Sequence, residues 1–154
     1  HKLPVPDQAI AEHPGLERFL DRQVIIGLRP SSFEDAAFAP PEWPPLKAEA
    51  RVTELLGSEV DVIFAVRTPP VQHEVMVAQF DTTAKQEASE DQDQAGALVG
   101  EGESLWTARV NPRSGVRPGR AVDLAVDTSA LYWFDPRSGQ AIPRQPAGDR
   151  PSGA

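Results

Sequence analysis

Any chemistry in this chain of 154 residues has to start from carboxylates, a few histidines and lysines, or serines, because it has no cysteine. That removes thiol nucleophiles, disulfides and thiolate zinc sites. A phosphate-cradling loop needs a glycine-rich turn ending in Gly-Lys-Ser or Gly-Lys-Thr, and Lys2, Lys47 and Lys85 stand in no such context. His1, His13 and His73 have no metal-ligand spacing, and His1 and His13 fall in sequence that reads as flexible. No Gly-x-Ser-x-Gly elbow is present. Ser58, Ser114 and Ser138 each adjoin a glycine, where turn chemistry accounts for them. Glu90, Asp91 and Asp93 cluster in a polar stretch rather than on two rigid elements, as paired acid–base work requires. "EDQDQAG" also lacks the Asp-x-Asp-x-Asp-Gly and distal glutamate of a calcium loop. The expectation is a fragment with no catalytic residue, no metal site and no cofactor of its own.

One constellation points elsewhere. In "VIIGLRPSSFEDA" a buried-looking run is stopped by Gly27, Arg29 and Pro30 together. Gly27 lets the chain bend away, Pro30 stiffens the exit, and Arg29 offers a permanently charged planar fork. That fork either pins the fold to a neighbouring segment, within the subunit or across a dimer, or makes a local bridge to Glu34 or Asp35.

The net charge of −8 provides no basic stripe for a phosphate backbone, so nucleic acid is not an expected partner. Anionic membrane surfaces are disfavoured for the same reason. No apolar window is long enough to span a bilayer. "HKLPVPDQAI" lacks a signal-peptide core and reads as a linker, a tag remnant or the cut edge of a larger chain. Trp43, Trp106, Tyr132, Trp133 and Phe134 could stack on bases or sugars, but most are expected to plug a small core.

The elements that must position these residues are short, as sixteen prolines and eleven glycines require. Residues 1–12 read as linker. Leu16, Phe19 and Leu20 in "LERFLDR" have helical spacing. "QVIIGLRP" reads as a strand and residues 31–45 as a loop. Leu46, Ala48, Ala50 and Val52 alternate with Lys47, Glu49, Arg51 and Thr53, and Val60, Val62, Phe64 and Val66 with Glu59, Asp61, Ile63 and Ala65; the Gly57-Ser58 break between them makes a hairpin. "HEVMVAQFD", "SLWTARVNP", "VRPGRAVDLAVD" and "ALYWFD" are further strands, with Pro118-Gly119 as the central pair of a type II turn. The expected fold is mainly all-β: a small OB-like β-barrel with one short N-terminal helix and long loops. It should occupy residues 13–142, with an acidic loop or insertion at 82–104 and a disordered tail at 143–154.

Three phrases, in order, resemble one family. "VIIGLRP" resembles the opening, "VTELLGSEVDVIFAV" the following hairpin, and "VNPRSGVRPGRAVDLAVDTSALYWFDPRSGQAI" the close of the C-terminal regulatory domain of carbohydrate-importing ABC transporter ATP-binding subunits. This is the transport-associated OB, or TOBE, domain. The likeness covers most of residues 23–142 and is nearest to multiple-sugar and maltose-type importers of actinobacteria. It departs from the pattern at Ser31, where the family has glutamate, in the proline-rich "APPEWPP" loop and in the acidic segment.

The resemblance implies a parent ATPase that uses ATP and Mg²⁺ and sits at the cytoplasmic face of the membrane on permease subunits. It works as a homodimer, its nucleotide-binding domain preceding His1. This chain would be the non-catalytic clamp, contacting its own nucleotide-binding domain and a second copy. A regulatory protein would bind at 82–104. The candidate inter-segment or dimer contacts are Gly27, Arg29, Pro30, Gly57, Ser58, Glu59, Phe134 and Asp135. The alternatives are an oxyanion- or sugar-sensing OB-like domain that uses turn amides with Arg29 or Arg113, and an autonomous OB-fold binding module.

Overall fold

The computed structural model describes residues 2–71, 100 and 102–145. Among the described residues seven strands are formed: β1 Ile25–Gly27, β2 Phe33–Asp35, β3 Pro45–Leu56, β4 Glu59–Val66, β5 Ser104–Val110, β6 Ala121–Val126 and β7 Tyr132–Phe134. The same residues form an α-helix, α1, at Asp7–Ala11 and short 3-10 helices at Pro14–Phe19, Pro30–Ser32 and Thr128–Ala130. The chain divides into two compact units, Arg29–Asp127 and, flanking it in sequence, Lys2–Leu28 with the residues from Thr128 on.

The first unit is the expected β structure. Five strands in the order β2-β6-β3-β4-β5 make an antiparallel sheet that curls into a half-barrel. Its long strand is β3, which pairs with β6 through Pro45–Glu49 and with β4 from Ala50 on. The change of partner happens at a bulge: Ala50 lies opposite Phe64, but Val52 lies opposite Ile63. Such an insertion bends the strand and raises its twist, which lets one strand serve both halves of a curled sheet. The bulge also corrects the simple alternation. Val52 leaves the face of Leu46, Ala48 and Ala50, and Thr53 takes the place opposite the fully buried Val62.

The inner face is apolar, with Leu46, Ala50, Val62, Phe64, Ala108, Val110, Val122 and Leu124 all buried. Phe33 plugs it from β2, its ring edge-on to Phe64 at 5.6 Å and to Trp106 at 6.0 Å. Phe33 lies in what reads as loop at 31–45; a three-residue strand between two turns is too short to show alternation. The Pro118-Gly119 turn forms as expected: Gly119 has φ of 71°, and Arg120 N–H donates to Arg117 C=O at 3.2 Å.

The second unit pairs β1 with β7 and buries Leu16, Leu131, Trp133 and Ile142. Here two expectations change. Residues 1–12 are not all linker: α1 begins straight after Pro6, a residue whose fixed φ suits a helix entry. Nor is His13 in flexible sequence: it is 7% exposed, with Nδ1 2.7 Å from Ala9 O. "LERFLDR" winds only as a 3-10 helix, Pro14–Phe19. Its three-residue period aligns Leu16 with Phe19 and leaves Leu20 64% exposed. At the other end, beyond Ile142, Gln145 N–H donates to Glu12 C=O at 2.7 Å. All of "HEVMVAQFD" and most of the acidic segment 82–104 lie outside the described residues, while Ser104 already opens β5.

Candidate interaction sites on the two units

The β3–β4 hairpin is built by two complementary alternations that meet at Gly57-Ser58. Gly57 has φ of 64°, and Ser58 is not among the positive-φ residues. Glycine at the first central position with φ above zero is the type II′ pattern, whose twist matches the flanking strands. The register brings Leu55 opposite Val60 and Leu56 opposite Glu59. Gly57, Ser58 and Glu59, three of the expected contact residues, therefore sit together at an exposed tip.

Behind the tip lies a charged cluster that the sequence did not single out. Arg109 on β5 donates from Nε to Asp61 Oδ1 at 2.9 Å and from Nη2 to Asp61 Oδ2 at 3.4 Å. Its Nε also lies 3.3 Å from Glu59 Oε2. The hydrogen bonding to Asp61, then its charge and that of Glu59, hold the guanidinium pKa above its ordinary value. Asp61 and Arg109 are cross-strand partners, so the signal lay in pairing β4 with β5 in the right register.

The other expected residues divide between the units. Arg29 and Pro30 belong to the half-barrel, where Arg29 precedes the 3-10 helix Pro30–Ser32 in extended conformation. The two carboxylates expected as its local partners also hold backbone and hydroxyl groups. Glu34 Oε1 accepts the N–H groups of Asp35 and Asn111, each at 2.8 Å. Asp35 takes the Ser114 hydroxyl on Oδ2 and the Ala37 N–H on Oδ1.

Gly27 and Phe134 come together in the second unit. A Cβ built on Gly27 would lie 3.1 Å from Phe134 Cε2, so glycine is what lets the ring lie against β1. Asp135 organises the turn after β7, accepting the Arg137 N–H on Oδ1 at 2.8 Å and binding Arg18 through Oδ2 at 3.3 Å. Of the aromatic residues, Trp133 is core at 8% exposed, whereas Tyr132 is 43% exposed.

A cleft of about 300 Å³ lies in the second unit beside α1, with Gln8, Glu12, Ser129 and Arg144 on its walls. Its two charges meet in an ion pair between Glu12 and Arg144. The Gln8 hydrogen bond to Glu12, at 3.0 Å, and then Arg144 hold the Glu12 carboxyl below its ordinary pKa, partly offset by burial. Among the described residues no three histidine, cysteine, aspartate or glutamate side chains gather as a metal site, and no helix is long and apolar enough to cross a membrane.

No protein-family profile matches the chain. It is similar to the trehalose import ATP-binding protein SugC of Mycobacterium tuberculosis, from strains CDC 1551 / Oshkosh and ATCC 25618 / H37Rv, at 33% identity over 135 residues. The alignment takes in 84% of this chain and 30% of each relative. Most of the chain is therefore related to under a third of a sugar-import ATP-binding protein.

Proposed function

We propose that this chain is a non-catalytic accessory domain, of the transport-associated OB type, in the ATP-binding subunit of an ABC sugar importer. It holds two copies of that subunit together while their nucleotide-binding parts open and close. The observation that carries this reading is the asymmetry of the likeness, which takes in 84% of this chain but 30% of a trehalose import ATP-binding protein. That relation supports reading the segment as one part of a larger protein. Two further facts support a clamp over a motor. The sequence contains no Gly-Lys-Ser or Gly-Lys-Thr phosphate loop, and the described residues form a curled sheet filled by apolar side chains.

In this role ATP and Mg²⁺ act on the rest of the parent subunit. The partners are its nucleotide-binding domain, a second copy and the permease at the cytoplasmic face of the membrane. Residues 82–104 are the place for a regulatory protein. Trehalose, named for the relatives, is the first cargo to try.

The test uses the full-length subunit, intact and with this domain deleted. Deletion is expected to shift sedimentation from dimer to monomer and to slow trehalose uptake, with ATP binding retained. A truncated subunit that stays dimeric and transports at the full rate overturns the proposal.

A further inference from the structure

The β3–β4 hairpin ends in two leucines that the fold does not bury: Leu55 is 72% exposed and Leu56 is 50% exposed. Single apolar residues on a surface are ordinary. These two are consecutive, and they sit against a tight turn that fixes them in place. Successive strand residues point to opposite faces. Leu55 thus shares the face of Thr53 and Val60, at the end of the apolar inner surface, while Leu56 shares the face of Glu54, Glu59 and Asp61.

The charge on that second face is one-sided. Asp61 and Glu59 both use Arg109, and Glu54 adds a third, exposed carboxylate. Three carboxylates to one guanidinium leave the Leu56 side acidic.

We propose that the hairpin tip is a plug that docks into another protein, one presenting a cleft with an apolar floor and a basic wall. A flat surface could cover only one of the two leucines; a cleft covers both. The basic wall follows from the acidic face beside Leu56, because complementary charge fixes orientation and partner choice. The same charge disfavours an anionic lipid surface and the matching tip of a second copy. The turn holds the leucines in place before binding, so little ordering remains to be lost. The inference rests on the hairpin alone and stands independently of the transporter reading.

The experiment places benzoylphenylalanine at position 55 or 56 of the full-length gene product in its native cells. After irradiation the cross-linked peptides are identified by mass spectrometry. Both positions are expected to capture one and the same protein, on opposite walls of one cleft, with lysine or arginine beside the segment reached from position 56. Glu54→Lys together with Glu59→Lys should cut the yield by at least about fivefold, as reversed charge at a contact does. Glu54→Lys alone, which leaves the Arg109 pairs in place, should lower it in the same direction. Capture of lipid, of a second copy, or of different proteins from the two positions overturns the proposal. So does no capture at all, or a yield indifferent to charge. Sedimentation of the same variants reads dimerisation separately, so failure here is distinguishable from failure of the clamp.

Discussion

Glu34 on β2 reaches the backbone of Asn111, just past the end of β5, with Oε1 accepting the N–H at 2.8 Å. Glu34 lies on β2 and Asn111 directly follows β5, the two outer strands of the five-stranded sheet among the described residues. A carboxylate thus bridges two strands that, among the described residues, backbone ladders join to β6 and to β4.

Glu34→Ala removes the acceptor for both the Asp35 and the Asn111 N–H groups. A half-buried donor left without a partner costs about 1–3 kcal/mol. Urea unfolding should show that loss, with Glu34→Gln, which keeps an acceptor oxygen, closer to the parent. Equal midpoints for Glu34→Ala and the parent chain would mean that the bridge adds nothing.

Phe33 is 2% exposed and touches both Phe64 and Trp106 edge-on. Phe33→Ala should cost about 3–5 kcal/mol, from lost burial and the cavity left behind. Phe33→Leu should cost less than Phe33→Ala in the same chemical-denaturation series. A small effect for both would show that β2 does not plug the half-barrel.

The Glu12 carboxyl is held below its ordinary pKa of 4.5, first by the Gln8 hydrogen bond and then by Arg144. A depressed carboxylate contributes stability above pH 4.5 and loses it as pH falls through the folded value. Glu12→Gln should therefore melt lower than the parent at pH 7, with the gap closing on acidification below 4.5. The gap should also shrink in high salt, because surface charge pairs are screened. A gap that widens on acidification would reverse the assignment.

At Gly57 an added Cβ meets no atom within 4 Å, so a substitution there is felt through the backbone φ of 64° alone. Gly57→Val should cost about 1–2 kcal/mol, the penalty of left-handed φ for a side chain with a Cβ, while Gly57→Asn should be milder. Thermal melts of the two variants check the order. Equal stability would mean that the turn can rearrange.

How much of this was legible depended on the range of the interaction. The β3–β4 hairpin and β6 could be read because period-2 alternation and the Gly57 and Gly119 turns are local signals. Phe33 could not, since a strand of three residues carries no period and is held by Val126 across the sheet. α1 escaped because Pro6 reads as a breaker until its place at the helix entry is known. Of the expected contact residues, Gly57, Ser58 and Glu59 came together at the tip. Gly27 met Phe134 in the second unit, and Arg29 went to the first. The exposed pair Leu55-Leu56 did carry a sequence signal, because strict alternation would place one leucine, not two, before the turn.

The sequence by itself determined the β character, the turns and the absence of cysteine, since each depends on residue type and near neighbours. The tertiary structure alone decided where β3 changes partner, which carboxylate bridges β2 to β5, and which leucines stay outside. Those outcomes depend on side chains far apart in the chain meeting in one register, and a single-residue bulge at Arg51 exchanges the faces of everything beyond it.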